Sequence, residues 1–206
     1  MTQLASITEE LTGKVRVSYE EFLALPGNPH AEWVDGEVIP MMSVSSLHTR
    51  THKWLLRLMD GFLDEQPMGE TLFDPFQMKL AAGLPGRQPD ISYLSNEHAG
   101  RLRDTFLDGP ADLAIEIVSP GNAATDYVDK FREYEAGGVP EYWIIDPFNE
   151  TADFFRLVDG RYERSHPDKD GVYHCAAIPG FWLRVEWLWK RPPLKQALAE
   201  IEAAAG

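Results

Sequence analysis

The sequence of 206 residues has very little cysteine and no long hydrophobic run. Its single cysteine, Cys175, excludes an internal disulfide and a metal site built from several cysteines. No apolar stretch is long enough to predict a membrane-spanning helix. The N-terminus carries acidic residues and lacks the apolar segment of a secretory signal. Together these absences predict a cytoplasmic globular protein without a membrane partner.

Basic residues are also scarce, with 19 lysines and arginines against 33 aspartates and glutamates, a net charge of −14. This balance weighs against a broad electrostatic surface for nucleic acid, although a local basic cleft is compatible with it. Clustered acids can also form a cation site, and a bound metal ion would reverse the local field. No glycine-rich loop of the kind that cradles phosphate is present, because Gly137 and Gly138 follow a predicted helix instead of preceding one.

The most informative stretch that is present spans residues 110–147. Its pattern predicts a strand over 112–119, a helix that ends near 136, and a second strand over 141–146. A strand, a helix and a strand at this spacing favour a right-handed parallel crossover. The predicted fold class is therefore α/β with a mixed sheet.

The first of these strands contains an unusual acidic residue, Glu116. Side chains alternate along a strand, so Glu116 shares one face with Ala114 and Val118, while the other face is wholly apolar. Two apolar faces predict a strand that is covered on both sides. A carboxylate in such a strand costs free energy unless a cation or several hydrogen-bond donors meet it.

The remaining chain shows no internal repeat or linker, so we predict one domain over residues 1–206. We expect a loose N-terminal arm over 1–15 and a C-terminal helix over 193–206. A capping box at Ser18 and Glu21 predicts a short helix, and Asp35-Gly36 predicts a hairpin. The other predicted elements are a long helix over 47–64, strands within 69–80 interrupted at Pro75, a strand entered at Pro89, a short helix and loop over 96–108, a hairpin over 152–165, strands over 172–178 and 181–188, and a helix over 194–205.

Three charged residues on these elements suggest a reaction. Asp90 enters one predicted strand, Glu116 lies within another, and Lys130 lies on the helix that follows. Two carboxylates and a backbone carbonyl form a hard oxygen site that suits Mg²⁺ or Mn²⁺. A nearby lysine can orient an attacking water or stabilise charge on a phosphate. This set of groups is suited to metal-assisted phosphodiester hydrolysis.

The sequence also resembles the Uma-type family of restriction-endonuclease-like proteins, within the PD-(D/E)XK nuclease superfamily. The resemblance covers about residues 18–188. It is carried by the ordered segments YEEFLALPG, EWVDGEVIPM with His48 downstream, QPDISYL, ADLAIEIVSP, DYVDKFREYEAGGVPEYWIIDP and PGFWLRV.

The resemblance implies a restriction-endonuclease-like core, with a mixed central β-sheet flanked by helices and an extra C-terminal β-hairpin. It implies that Asp90 and Glu116 are metal ligands and that the backbone carbonyl of Ile117 adds a third. The superfamily places a lysine two residues beyond the glutamate, whereas this chain has Val118 there. Lys130 resembles a displaced substitute for that lysine.

The resemblance also points to auxiliary positions. Glu32 resembles the auxiliary acid of the superfamily, and His48 matches a family position whose role does not follow from the sequence. Asp126 and Tyr134 share the helix face of Lys130, because the three residues recur every four positions. Tyr134 is expected to pack or to hydrogen-bond at the site.

Simpler structural roles compete with these functional ones. Asp90 is equally well explained as a turn acid paired with Arg87. Asp126 and Lys130 form an i,i+4 pair that is usually a surface ion pair. His48 and His52 have a spacing that can bind zinc, but no HExxH motif or third ligand accompanies them.

The leading functional hypothesis is a Mg²⁺-dependent endonuclease that hydrolyses phosphodiester bonds in DNA. The alternative is an inactive nuclease fold that serves as a binding or interaction module, which the net charge and Val118 favour. A third possibility is a metal-dependent hydrolase of another phosphoester. Analogy with restriction endonucleases and the aromatic C-terminal region predict a homodimer.

Overall fold

The computed structural model describes residues 16–25, 31–40, 44–119 and 125–205. The predicted arm at 1–15 and the start of the predicted helix after residue 119 lie outside these ranges. Within them, none of the helices has the length and apolar character needed to cross a membrane. The helices are α1 (Tyr19–Leu23), α2 (Ser46–Glu65), α3 (Phe131–Gly137), α4 (Trp187–Lys190) and α5 (Leu194–Ala205), with a 3₁₀ helix at Asn96–Arg101 and a π-helical turn at Thr125–Lys130.

The strands form three sheets. The large sheet has the order β11-β10-β9-β8-β6-β3, the small sheet has the order β2-β1-β5-β4-β7, and β12 pairs with β13. The strands are β1 (Ala31–Val34), β2 (Glu37–Pro40), β3 (Gly69–Phe73), β4 (Gln77–Lys79), β5 (Gly86–Arg87), β6 (Ile91–Ser95), β7 (Phe106–Asp108), β8 (Leu113–Ile117), β9 (Glu141–Asp146), β10 (Thr151–Val158), β11 (Arg161–Ser165), β12 (Val172–His174) and β13 (Trp182–Arg184).

The predicted strand–helix–strand unit is confirmed at the centre of the large sheet. Strands β8 and β9 pair in parallel, with Glu116 opposite Ile144, whereas the other pairs of this sheet are antiparallel. Helix α3 between them ends at Gly138, whose φ of 79° is the left-handed conformation that favours glycine at a helix C-terminus. The sheet is therefore mixed, as the sequence predicted.

Two apolar layers cover the large sheet. The side chains of Leu113, Ile115 and Ile117 pack with helix α2 and the C-terminal region, while Ala114 and Val118 pack with α3 on the opposite face. This is the division that the alternation along β8 predicted. Burial of both faces makes the interior of β8 a water-poor environment, which fixes the surroundings of Glu116.

Local sequence signals also produced the expected elements near the N-terminus. Ser18 and Glu21 form the predicted capping box of α1. Asp35 and Gly36, with φ angles of 50° and 88°, form the turn between β1 and β2. The small sheet, with α1 packed beside it, adds a third apolar cluster that contains Phe22.

The structure corrects three of the predicted elements. Residues 69–80 form two strands interrupted at Pro75, as predicted, whereas residues 96–108 include the short strand β7, which was predicted as loop. In the C-terminal region the strands are shorter than 172–178 and 181–188, and helix α4 replaces the end of the second one. Each correction concerns a segment of three to five residues, where neighbouring elements decide the conformation more strongly than local pattern does.

Candidate active site

Glu116 lies in the middle layer of the protein, near the carboxyl end of β8. Its side chain is almost fully buried, with 2% of the residue exposed. The hydroxyl of Tyr134, on α3, donates a hydrogen bond to Glu116 Oε1 over 2.7 Å. Tyr134 is itself fully buried, so it both packs and hydrogen-bonds.

Lys130 supplies the cation that meets Glu116. Its Nζ lies 2.8 Å from Glu116 Oε2, and 3.5 Å from both Glu32 Oε1 and Asp126 Oδ1. The lysine is buried, so these are interior contacts. One ammonium group therefore joins carboxylates from three separate elements. We call the buried acids around it, with Asp90 described below, the carboxylate cluster: Glu32, Asp90, Glu116 and Asp126.

A π-helical turn over Thr125–Lys130 brings Asp126 and Lys130 to the site. The hydroxyl of Tyr142, on β9, donates a hydrogen bond to the backbone carbonyl of Asp126 over 3.0 Å. Asp126 and Lys130 are both buried, so the interpretation of this pair as a surface ion pair is wrong. Turns of this kind are rare and are often found at functional sites.

Burial and charge shift the protonation equilibria of the cluster. Burial raises the pKa of Glu116 well above its ordinary value, opposed by Lys130 and reinforced by Asp126 and Asp90. Burial likewise raises the pKa of Asp126 to about 6, again opposed by Lys130. Burial alone would lower the pKa of Lys130, but Glu116 and the other three carboxylates raise it well above its usual range. Lys130 is thus held as an ammonium ion.

Asp90 precedes β6 and connects this strand to β8. Its Oδ2 accepts a hydrogen bond from the backbone N–H of Ile117 over 2.6 Å, and its Oδ1 lies 3.1 Å from His48 Nε2. His52 Nε2 lies 2.9 Å from the backbone oxygen of Asp90. The interpretation of Asp90 as a partner of Arg87 is wrong, because the guanidinium group of Arg87 is bonded elsewhere.

Arg87 connects the carboxylate cluster to α3. Its Nη1 donates to Glu32 Oε2 over 2.7 Å, while its Nε and Nη2 donate to the two oxygens of Glu133 over 2.7 and 2.8 Å. The backbone N–H of Gln88 also donates to Glu32. Burial favours a raised pKa for Glu32, but Lys130 and Arg87 outweigh burial and lower that pKa below its usual value. Glu32 therefore remains ionised.

His48 and His52 do not form a zinc site with a third ligand in this structure. Their rings stack with centroids 6.4 Å apart, and their nearest charged or polar contacts belong to Asp90. Among the described residues, no group of three or more histidines, cysteines or acids is arranged to hold a metal ion.

The donors nevertheless fit a hard divalent cation by their chemistry. Asp90 and Glu116 meet at adjacent strands, as the Asp90 bond to the N–H of Ile117 shows. When the pairing of β6 with β8 is continued by two residues, Pro89 lies opposite Ile117. Proline has no backbone N–H, so Pro89 cannot donate a hydrogen bond to the backbone carbonyl of Ile117. Carboxylate and carbonyl oxygens are the usual ligands of Mg²⁺ and Mn²⁺. In the arrangement described here, the ammonium of Lys130 provides the positive charge among these oxygens.

Sequence reasoning missed Arg87, Glu133 and Tyr142 as members of the site. Arg87 is 55 residues from Glu32 and 46 residues from Glu133, and no local spacing joins them. One available signal was that Arg87 lies in a segment with Gln88 and Asp90, where an isolated basic residue precedes a strand entrance.

Comparisons with known proteins agree with the fold. A family model described as "Uma2: Putative restriction endonuclease" matches residues 19–186. Among solved structures, a crystal structure described as a putative nuclease belonging to DUF820, from Anabaena variabilis, is similar with a TM-score of 0.69 and 19% identity. The match covers 84% of this chain and 98% of that one. A search of curated proteins found no match.

Proposed function

Because the chain belongs to the Uma2 family of restriction-endonuclease-like proteins, we propose that it is a metal-dependent nuclease that hydrolyses phosphodiester bonds in DNA. The observation that carries the proposal is the convergence of Asp90, Glu116 and Lys130 at one buried position. Family and fold are those of nucleases. The choice of DNA and of Mg²⁺ or Mn²⁺ is our inference.

In this proposal the residues of the site have separate roles. Asp90 and Glu116 hold the metal ion, together with the backbone carbonyl of Ile117. A bound Mg²⁺ or Mn²⁺ ion supplies an activated water and stabilises negative charge on the phosphate. Glu32 shapes the site from the small sheet, where Arg87 fixes its orientation.

Lys130 acts as a cation and hydrogen-bond donor in this proposal. Its raised pKa keeps the amine protonated, so it cannot serve as a general base in the state described. Its Nζ is instead placed to orient water and to offset the charge that develops on the scissile phosphate. His48 positions Asp90 through the 3.1 Å contact to Oδ1.

The test is cleavage of DNA with Mg²⁺ or Mn²⁺ by the wild type and by Glu116→Gln, Asp90→Asn and Lys130→Met. Each of these three variants is expected to lose cleavage while it retains the circular dichroism spectrum of the fold. Glu163→Gln, a matched change at an exposed acid on β11, should keep wild-type activity. Equal cleavage by the wild type and the Glu116 and Asp90 variants would refute the assignment.

A specific observation favours a second candidate, an inactive nuclease fold that binds a partner. The Lys130 ammonium already places a positive charge among the carboxylates of the cluster, and Val118 replaces the lysine of the superfamily pattern. Such a protein would bind nucleic acid or another partner without turnover. Calorimetric titration with Mg²⁺ or Mn²⁺, alone and with DNA, separates the candidates, because only the nuclease should show saturable binding that Glu116→Gln removes.

Three properties of the whole molecule belong to the same proposal: a homodimer, a single domain and a cytoplasmic location. The homodimer is proposed by analogy with restriction endonucleases. Sedimentation or gel filtration at micromolar concentration should show twice the chain mass, and a monomer would contradict it. A single domain should unfold in one cooperative transition.

A further inference from the structure

Several exposed apolar side chains belong to segments that neighbour the carboxylate cluster. In the described part of the chain, six large apolar side chains are exposed, and four of them are near site residues in sequence or in strand pairing. Isolated exposed apolar residues are ordinary, but a group around one site calls for an explanation. We call this group the apolar rim: Ile39, Val44, Phe73 and Val128.

Each member of the rim lies close to a site residue in sequence or in strand pairing; Phe73, for example, pairs with Ile91, which follows Asp90. Ile39 pairs directly with Glu32 across the β1–β2 hairpin. Val44 immediately precedes Ser45, the N-cap of helix α2. Val128 lies in the π-helical turn that supplies Asp126 and Lys130, yet its own side chain is exposed.

Phe73 forms the outer end of a row of rings that begins at Asp90. His48 contacts Asp90, and the His48 and His52 rings stack at 6.4 Å with an interplanar angle of 7°. The ring of His52 then meets that of Phe73 edge to face at 6.3 Å. Phe73 is 50% exposed, so an aromatic face reaches the surface beside the catalytic carboxylate.

The electrostatics of the chain disfavour binding through phosphate charge alone. The net charge is −14, and the lysine and the arginine at the site are engaged by buried carboxylates. Affinity for a stiff, fully paired duplex depends heavily on contacts between basic side chains and phosphates. Unpaired bases offer another source of affinity, because each base can stack on an aromatic side chain whatever its sequence.

The burial of the site argues in the same direction. Asp90, Glu116 and Lys130 are all buried, so a scissile phosphate has to approach groups that the surrounding chain covers. A single strand is flexible and can bend into a recess, whereas duplex DNA has a persistence length of about 150 base pairs. In a duplex, moreover, the faces of the bases are stacked on one another and are closed to Phe73.

We propose that Phe73 and the apolar rim bind unpaired nucleobases, so that the site acts on single-stranded or locally unpaired DNA in preference to fully paired duplex. This inference rests on the proposed nuclease function and specifies its substrate class. Phe73 serves in it as a stacking platform that positions the strand, and it takes no part in the chemistry.

The test is fluorescence anisotropy with a labelled DNA strand, alone and annealed to its complement. Ca²⁺ replaces Mg²⁺ to neutralise the carboxylates, and a gel confirms that the strands stay intact. The wild type should bind the single strand more tightly than the duplex. Phe73→Ala should weaken single-strand binding about tenfold, in the range for loss of one stacked base, and leave duplex binding unchanged.

Two matched variants separate stacking from a general structural effect. Phe73→Tyr keeps an aromatic face and should retain the preference. Val158→Ala removes an exposed apolar side chain at the distant β10–β11 turn and should have no effect. The fluorescence of 2-aminopurine in the strand should be quenched by the wild type and by Phe73→Tyr, and not by Phe73→Ala.

The inference is overturned if duplex binds as tightly as the single strand, or if Phe73→Ala binds the strand like the wild type. It is also overturned if Phe73→Ala changes the oligomeric mass on gel filtration and leaves DNA binding unchanged. The apolar rim would then be a contact surface between two copies of the chain. Absence of cleavage on every DNA would refute the proposed nuclease activity while the binding preference could still be measured. Rapid cleavage of paired duplex, unaffected by Phe73→Ala, would refute the preference alone.

Discussion

Two glutamates on neighbouring strands are buried to the same degree and have opposite surroundings. Glu116, on β8, is 2% exposed and meets the ammonium of Lys130 and the hydroxyl of Tyr134. Glu141, at the start of β9, is 1% exposed, and the groups of the described chain that hydrogen-bond to it are neutral. Those donors are the indole of Trp143, the hydroxyl of Tyr173, the backbone N–H groups of Ala176 and Ala177, and the thiol of Cys175 at 3.6 Å.

The difference shows that a buried acid is not by itself a sign of catalysis. Fixed donors surround both oxygens of Glu141, so that carboxylate fastens the loop after β12 to the large sheet. Glu116 instead shares one lysine with Glu32 and Asp126, and a cation of higher charge could be accommodated there. The candidate site is therefore distinguished by negative charge on its carboxylates that the neighbouring side chains compensate only in part.

The largest difference between the two glutamates is expected in metal binding. Glu116→Gln should weaken calorimetrically measured Mg²⁺ or Mn²⁺ binding by more than about a hundredfold, since residues that only support a ligand already cost about 10- to 100-fold. Glu141→Gln should bind the metal like the wild type, per folded molecule. Equal loss in both variants would contradict a site at Glu116.

Removing the cation from the carboxylate cluster should strongly destabilise the protein. Lys130→Met leaves buried carboxylates without their partner and should lower the free energy of unfolding by about 3–5 kcal/mol at pH 8. The loss should shrink at pH 5, because the raised pKa values of Glu116 and Asp126 allow protonation there. Urea unfolding at both pH values measures this difference.

Lys190→Met provides the matched control, because Lys190 forms an exposed pair with Glu186 on α4. Its change in the free energy of unfolding should stay below about 1 kcal/mol at either pH. A Lys130 variant that behaved like this control would show that the buried lysine is dispensable for folding.

Glu141→Gln should lower stability by about 3 kcal/mol without altering catalysis. In glutamine an NH₂ group takes the place of one of the two carboxylate oxygens. The hydrogen-bond donors that face this group therefore lose their acceptor. Urea unfolding measures the loss, and DNA cleavage measured below the unfolding transition should match the wild type. Glu163→Gln, at an exposed position, should leave stability unchanged.

The last expected effect is spread over a range of pH and concerns the pH dependence of stability. The pKa of Asp126 in the folded protein is about 6, above the ordinary value of an aspartate, so folding binds this proton more tightly. The contribution of Asp126 to the free energy of unfolding should therefore be greatest below about pH 4 and decline as the pH rises toward 6, by up to about 3 kcal/mol. Asp126→Asn should remove this part of the decline in thermal unfolding scans, and an unchanged pH profile would contradict it.

Much of the fold followed from local pattern. The alternation along β8, the glycine stop after α3 and the Asp35-Gly36 turn were each sufficient to predict their elements. The strand β7 was not predictable in this way, because its three residues are held by parallel pairing with β4, which is remote in sequence. Helix α4 was mistaken for a strand, since its aromatic residues suit either conformation.

The candidate site was only partly predictable for a related reason. The presence of Glu116 in a buried strand was evident, but the i,i+4 spacing of Asp126 and Lys130 does not distinguish an exposed pair from a buried one. Their burial depends on a π-helical turn whose carbonyl is held by Tyr142 from β9. Partners of this kind are set by tertiary packing and leave no local trace in the sequence.

The short passage from β5 to β6 has a consequence for the proposed nuclease activity. Arg87 belongs to the small sheet and Asp90 enters the large one, so the site exists only where the two sheets meet. A chain in which either sheet has yet to form holds Glu32 and Lys130 apart and cannot assemble the proposed cutting centre. Activity of the proposed nuclease therefore requires the completed fold, with both sheets in place.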